Sequence, residues 1–417
     1  MTSPERPADP STGMTAWRFV VWFGIVAMLA DVVYEGARSI TGPLLAHLGA
    51  SALVVGVVTG IGEAAALMLR LVSGPLADRT RSFWAWAIAG YAVTVVSVPL
   101  LGLTSVLWVA AALVIAERVG KAVRSPAKDT LMSHATAVTG RGRGFAVHEV
   151  LDQAGALTGP LLVAAVLSLT GDYTPALLML AVPGTLALAL VVRLRLKVPH
   201  PARYELGPAA TEHHRGPRQT LSGADRLPRV FWVYAGFAGL TMTGFATFGV
   251  LSFHLVTAGL LAAAAVPVLY AGAMVVDAVA AVATGWAYDR YGAGVLAALP
   301  VVAALVPALA FSTTVGLAVA GVLAWGAALG VQESTLRATV ADLVLPGRRA
   351  TAYGVFGAVV GVGAAAGGAL AGGLYDVSLA LLVGVTVVLQ VLALTVLVVT
   401  LRRAAVDSAT HRPGDPT

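Results

Sequence analysis

The 417-residue sequence contains no cysteine. That absence removes disulfides, thiol nucleophiles and thiolate metal sites together. Charge is scarce too: Asp, Glu, Lys and Arg make up 12% of the chain, against roughly 25% in soluble domains. Lysine is nearly missing, with Lys121, Lys128 and Lys197 beside 24 arginines. Neither a G-x-x-x-x-G-K-[ST] phosphate loop nor an H-E-x-x-H metal helix occurs, and the eight histidines are scattered. Direct use of ATP, a resident metal and an enzymatic role are therefore not expected, and no cofactor is implied. The net charge of +6 is no nucleic-acid signal, because the basic residues are spread over short connections.

What the chain has instead is apolar length. Hydrophobic residues make up 58% of it, more than a soluble surface could hide, so most of the surface is expected to face lipid. Twelve stretches reach the roughly 20 apolar residues that a membrane helix needs. They lie near 17–41, 52–76, 83–103, 105–126, 144–169, 174–196, 229–257, 263–288, 293–312, 315–341, 350–374 and 377–400. Strands of a membrane barrel would be half as long and would alternate in polarity. Residues 1–16 are polar and contain Pro7 and Pro10, and the apolar run that follows is too long for the core of a signal peptide; it is expected to insert and stay.

Orientation follows from the basic residues. Arg79, Arg81, Lys128, Arg141, Arg143, Arg290, Arg348, Arg349, Arg402 and Arg403 share one side with the stretch 193–229, while the opposite loops carry neither Lys nor Arg. Positive residues stay inside, so both termini and the middle loop are expected in the cytoplasm of a bacterium, with the protein in its inner membrane. The expected organisation is a tail (1–16), a six-helix bundle (17–196), a linker (197–228), a second six-helix bundle (229–400) and a tail (401–417).

The two halves repeat. "SGPLADRTRSF" (73–83) returns as "TGWAYDRYGAG" (284–294), so that Gly74 and Asp78 match Gly285 and Asp289 at an offset of 211. Gly155 and Gly159 match Gly363 and Gly367 at 208. The fold class is an all-α polytopic membrane protein, with two parallel six-helix repeats around a central cavity whose access alternates as the repeats rock.

Paired cytoplasmic loops of this kind resemble the major facilitator superfamily, whose loop between spans 2 and 3 reads roughly G-x-L-x-D-R-x-G-R-R. Gly74, Leu76, Asp78 and Arg79 match it; Arg81 stands where that family often has glycine. The second copy offers Gly285, Asp289, Arg290 and Gly292. The resemblance implies a conformational-switch role for both loops. On physical grounds, Gly74 would permit close helix packing and Asp78 would accept at a neighbouring helix N-terminus. "DVVYE" (31–35) and "ERVGKAVRSPAKD" (117–129) are similar to a poorly characterised bacterial branch of the superfamily. "GALTGP" (155–160) resembles the G-x-x-x-G-P element of proton-coupled antiporters, with Leu161, Leu162 and Val163 where small residues are usual.

Buried charge should mark the working residues. The first half places Asp31, Glu35, Arg38, Glu63, Arg70, Glu117, Arg118, Lys121, Arg124, His148, Glu149 and Asp152 inside predicted spans. Left unpaired in lipid, these twelve groups would cost on the order of 30 kcal/mol, so they are expected to face inward and pair. Asp31, Glu35 and Arg38 share a helix face at i, i+4, i+7. Asp31 and Glu35 are the first candidates for proton coupling, ahead of Glu149 and Asp152, then Glu63 and Glu117. Arg38, Arg70, Arg118, Lys121, Arg124 and His148 are candidate charge partners or a substrate clamp. Lys128 reads as a side chain snorkelling to the interface, span 3 as lipid-facing, and His254 as an ordinary interface residue. The second half is drier: Asp277, Gln332, Glu333 and Arg337 are its cavity candidates, with Trp232, Tyr234, Phe245, Phe248, Tyr353 and Phe356 as an apolar wall.

The expected function is proton-coupled efflux of a small organic molecule by a monomer in the bilayer. Uptake of an organic anion with protons is the alternative within transport. A lipid flippase, scramblase or membrane enzyme is the alternative outside it.

Overall fold

The computed structural model describes residues 14–204, 227–344 and 348–410, without the side chains of Arg141, Arg337, Ala350 and 401–410. The Arg337 side chain and most of both tails and the linker thus lie outside the described residues. In chain order the helices are α1 (Ala16–His47), α2 (Ala52–Met68), α3 (Arg70–Thr80), α4 (Phe83–Leu103), α5 (Leu107–Thr139), α6 (Arg141–Thr170), α7 (Tyr173–Met179) and α8 (Ala181–Lys197). They continue with α9 (Arg229–Thr243), α10 (Phe248–Thr257), α11 (Ala265–Tyr291), α12 (Ala298–Ala310), α13 (Val315–Leu343), α14 (Arg349–Val377) and α15 (Leu379–Thr410). No strand occurs among the described residues.

Among the described residues, ten continuous helical stretches are long and apolar enough to cross a membrane. The predicted spans 2, 6 and 7 are each two helices in line, broken at Leu69, at Leu180 and at 244–247. The predicted spans 8 and 9 form one such stretch, Ala265–Ala310. Counting it as two gives eleven. The twelfth predicted span is α5, whose charges Glu117, Arg118, Lys121 and Arg124 keep it out of a count made on composition. At 33 and 30 residues, α5 and α6 run roughly 45–50 Å, well past a hydrocarbon core of about 30 Å.

Two compact units interleave along the chain. One runs to Ala37 and adds Val72–Thr104 and Ala116–Asp225; the other holds Arg38–Leu71, Ser105–Ile115 and the chain from Arg226. Their borders cut through α1 and α5 and do not follow the halves 17–196 and 229–400.

In the first unit, α6 lies against α1 backbone to backbone. A Cβ on Gly155 or Gly159 would collide with the carbonyl oxygens of Met28 and Val32. The Ser73 hydroxyl donates to the Ala122 carbonyl at 2.8 Å, tying α3 to α5. A core of Phe19, Phe23, Trp84 and Tyr91 packs beside the start of α1, and Tyr204, after α8, donates to the Met14 carbonyl at 3.1 Å.

The second unit repeats those contacts. A Cβ on Gly363 or Gly367 of α14 would collide with the carbonyl oxygens of Gly239 and Met242 of α9. Thr284 and Ser334, on α11 and α13, share a hydrogen bond of 2.9 Å. Each partner sits 208–212 residues after its counterpart, so the internal repeat holds at the level of individual contacts. The unit also packs α2 along α14: Gly56 and Gly368 each meet the other's carbonyl oxygen, and Gly372 meets that of Ala52. Small residues let membrane helices approach this closely.

The repeated loops end alike. Arg81 takes φ 50°, and Gly292, 211 positions on, takes φ 69°. A left-handed residue is needed at both places, and the first copy meets that need with an arginine. Other expectations for these loops fail. A Cβ on Gly74 would meet Pro126 at an ordinary 3.8 Å, and one on Gly285 would meet nothing within 4 Å, so neither glycine is required by packing here. Asp78 is exposed, as are Arg79 and Arg81, and among the described residues no hydrogen bond ties Asp78 to a helix N-terminus. The loop is closed by Thr80, which accepts from the Trp86 indole at 2.9 Å. In the second copy Asp289 is exposed, and the Arg290 guanidinium lies 5.7 Å from the Trp286 ring.

Candidate functional site

The charged residues of the first unit converge where α1, α4, α5 and α6 meet. On α5 four basic side chains follow one another at i, i+3, i+6 and i+10: Arg118, Lys121, Arg124 and Lys128. That spacing spreads them along one side of the helix; Arg118 and Lys121 share a partner, while Arg124 and Lys128 have partners of their own. Lys128 Nζ donates to His148 Nε2 at 3.0 Å and lies 3.9 Å from Asp152 Oδ2. Arg124 donates to the Thr94 hydroxyl at 3.0 Å and reaches Asp31 Oδ1 at 3.5 Å, with its guanidinium 4.9 Å from the Tyr91 ring. Lys121 Nζ stands 3.5 Å from the centroid of Tyr34, and the Arg118 guanidinium 4.4 Å from the same ring. Glu35 and Asp31 are the acids whose fields act on Lys121. Arg118 also lies 3.5 Å from its neighbour Glu117.

Three polar atoms of this cluster, Tyr91 Oη, His148 Nδ1 and Asp152 Oδ1, are buried with no hydrogen-bond partner among the described residues. Buried polar atoms are nearly always satisfied, by protein or by water, so these three mark where the cluster's polar groups are not met by the described side chains. The glycine contacts explain its placement. Met28 and Val32, whose carbonyls touch Gly155 and Gly159, bracket Asp31, so α6 seats the turn of α1 that carries the acid. Pro160 is buried beside them.

Several sequence expectations are corrected here. Lys128 does not snorkel; it is half-buried and paired with α6. Span 3 does not merely face lipid, because α4 supplies Tyr91 and Thr94. Glu149 is exposed, one residue from the buried His148. His254 is buried, with Nδ1 2.9 Å from the Tyr375 hydroxyl and Nε2 3.2 Å from the Ser312 carbonyl. Trp232 and Tyr353 are exposed. Tyr34, Tyr91 and Thr94 had not been singled out, although "DVVYE" puts Tyr34 within a turn of both Asp31 and Arg38.

The second unit holds the other charged pair. Arg38 Nη2 lies 2.9 Å from Glu63 Oε1, so Arg38 is drawn to α2. Arg70 is half-buried at the α2–α3 break. Among the second-half candidates Asp277 is buried, with its carbonyl against Gly330, Gln332 is half-buried and Glu333 is exposed.

The sequence profile of the Major Facilitator Superfamily matches residues 19–367. The chain belongs to that superfamily. The transporter is 61% identical over 393 residues, 94% of either chain, to uncharacterized proteins of Mycobacterium tuberculosis and Mycobacterium bovis. An uncharacterized MFS-type transporter of Methanocaldococcus jannaschii is 29% identical over 171 residues, 40% of this chain and 42% of its own. Among solved structures, the nucleoside transporter NupG superposes with a TM-score of 0.71 at 15% identity, over 91% of this chain and 98% of its own. A bacterial homolog of the human lysosomal transporter Spinster, in an inward-facing, occupied conformation, gives 0.66 at 14%, over 92% and 96%. These structures share the fold. The protein is thus a multi-pass membrane transporter for a small molecule, and not an enzyme.

Proposed function

We propose that this transporter couples export of a small amphipathic organic molecule to proton entry, with Asp31 as the proton-binding carboxylate and Glu35 beside it. The observation that carries the reading is the Asp31–Arg124 pair, buried among balanced charges and held at 3.5 Å. A pair this long is loose, and Arg124 already has Thr94 and Tyr91 as other partners. Protonating Asp31 would therefore release Arg124 to groups already at hand. Rocking of the repeats changes which partner is nearer, and so whether the proton is held. Export is favoured by the resemblance of Gly155, Gly159 and Pro160 to the antiporter element, which here grips the very turn that bears Asp31. We place the transporter in the inner membrane, with both termini cytoplasmic, on the distribution of arginines.

One observation favours a second reading. Two cations, Arg118 and Lys121, lie over the Tyr34 ring, an arrangement that would also clamp an organic anion during uptake with protons.

Both are tested by proton flux into proteoliposomes of known orientation under an imposed pH gradient, against a panel of organic cations, neutrals and anions. Export predicts proton entry that depends on substrate on the cytoplasmic face. It also predicts loss of that flux in Asp31→Asn/Glu35→Gln. Unchanged flux in the double variant would sink the assignment of the acids. Flux driven only by anions from the outer face would establish uptake.

A further inference from the structure

The Arg38–Glu63 pair sits in surroundings that a plain structural ion pair does not need. The Arg38 guanidinium lies 5.8 Å from the Trp325 ring and 6.0 Å from the Tyr270 ring. Behind them Phe248 packs edge-on to Tyr270, with centroids 4.5 Å apart, and Phe245 stacks on Trp325 at 6.2 Å. Trp325 is fixed by its own hydrogen bond, the indole donating to the Ala246 carbonyl at 3.1 Å. The rings are therefore a rigid wall, fully buried, with the Glu63 carboxylate paired to the arginine that lies over them.

Aromatic faces present negative charge to a cation, and burial strengthens the attraction. An aromatic wall plus a carboxylate is a receptor for an organic cation, and in this structure its occupant is the chain's own arginine. We propose that this box is the substrate site, that its ligand is a monovalent organic cation with a delocalised or shielded charge, and that Arg38 is the internal group the substrate displaces.

The topology makes the displacement possible. Arg38 and Glu63 belong to the first repeat, whereas Tyr270, Trp325 and Phe248 belong to the second. Arg38 is nine residues from the end of α1 and Glu63 eleven from the start of α2, both roughly 15 Å along the helix and so near mid-depth. When the repeats part at this end, Arg38 travels with Glu63 and the rings lose their cation. A substrate cation can then stack on the rings, and as the repeats close on it again it competes with Arg38 for Glu63. A cation of higher charge would overcompensate the Glu63 carboxylate. An anion would meet the electron-rich faces and Glu63 together and be rejected. The export reading bears on this proposal only through the direction of movement, since equilibrium binding needs neither a gradient nor Asp31.

The test is binding to the purified full-length protein in nanodiscs at fixed pH, with no gradient. The probes are tetraphenylphosphonium and its isosteric anion tetraphenylborate, with empty nanodiscs correcting for partition into lipid. Tetraphenylphosphonium is expected to bind saturably and tetraphenylborate not. Glu63→Gln and Trp325→Leu should each weaken binding about tenfold, while Arg38→Gln should tighten it about tenfold, because the competing internal cation is gone. Should Arg38→Gln fail to fold, Arg38→Lys serves in its place. Its compact ammonium stacks less well, and tighter binding of the phosphonium is again expected. Preference for the borate, or loss of binding on replacing Arg38, would overturn the proposal and make Arg38 an anion clamp. No saturable phosphonium binding would also overturn it. None of these results touches the proton assay on Asp31 and Glu35, so failure of this site and failure of the coupling assignment are separable.

Discussion

The crossing of α6 on α1 and the crossing of α14 on α9 are the same joint built twice. Each uses two glycines four apart, and each sets those glycines against the carbonyl oxygens of its partner helix. Around the first joint lie Asp31, Arg124, Lys128, His148 and Asp152. Around the second lie Tyr234 and Phe356, stacked with centroids 5.7 Å apart, and Gln390, which donates to the Thr241 carbonyl at 2.9 Å. The backbone contact has been kept while the side chains diverged. Close approach of two helices depends on having no side chain at the contact, which leaves flanking positions free to become a charge relay in one copy and a dry wall in the other.

The comparison breaks most sharply at Arg124. Arg124→Leu strands Asp31 in the first joint, and breaking a buried pair in this way should cost about 3–5 kcal/mol. In thermal unfolding of the purified protein, Asp31→Asn added to Arg124→Leu should recover much of the loss. Gln390→Leu in the second joint should cost no more than about 1–3 kcal/mol, the penalty for one neutral hydrogen-bond partner removed. Equal losses at the two sites would mean that the first joint holds no working charge.

The glycines sharpen the likeness. Gly159→Leu and Gly367→Leu should destabilise to a similar degree, by about 1–3 kcal/mol or more, because each Cβ would meet a carbonyl. A large loss for one and none for the other would show that the joints are not equivalent. The paired loops offer a finer comparison. Arg81→Gly should stabilise by about 1 kcal/mol, because the left-handed backbone disfavours any side chain with a Cβ, and Gly292→Arg should destabilise by more, about 1–3 kcal/mol, because φ 69° with ψ −159° is a conformation essentially only glycine adopts. The melting temperatures of the two variants should move in opposite directions.

The smallest effect is expected at Tyr204, where the linker leaves the first unit. Burial pushes its hydroxyl up to about 12, above the ordinary value near 10, so the neutral phenol is the form that the fold favours. Its contribution is complete below the unfolded value and is lost as pH rises through about 12. Tyr204→Phe should cost about 1 kcal/mol and remove the part of the alkaline loss of stability that falls between these two values. A melting profile from pH 9 to 12 in both proteins checks this.

Much of the architecture was legible because lipid imposes a simple rule. A segment that crosses it must be long, apolar and helical, and each of those properties is written locally. The repeat was legible for the same reason, since Gly155 and Gly363 are backbone requirements that survive divergence. α5 was found in the sequence by its apolar start and its place between loops, and its charges, which disqualify it on composition, are the reason it matters. The candidate site was legible as a list and not as pairs. Helical spacing placed Asp31, Glu35 and Arg38 on one face, but it could not say that Arg124 would take Asp31 while Glu63 took Arg38. Nor did anything in "AVPVLY" (265–270) or "GVLAWGAAL" (321–329) mark Tyr270 and Trp325 as the ring faces beneath an arginine.

The amino-acid sequence by itself determined the membrane, the helices, the doubling and the half of the chain that carries charge, because each is set by composition and spacing along one segment. Only the tertiary structure decided which acid meets which base, that Lys128 turns inward and Glu149 outward, that Arg81 carries a glycine's conformation, and that an arginine of the first repeat lies on the aromatic wall of the second. A charge in a membrane is stabilised by whatever lies within a few ångströms, and those neighbours come from helices far apart in the chain.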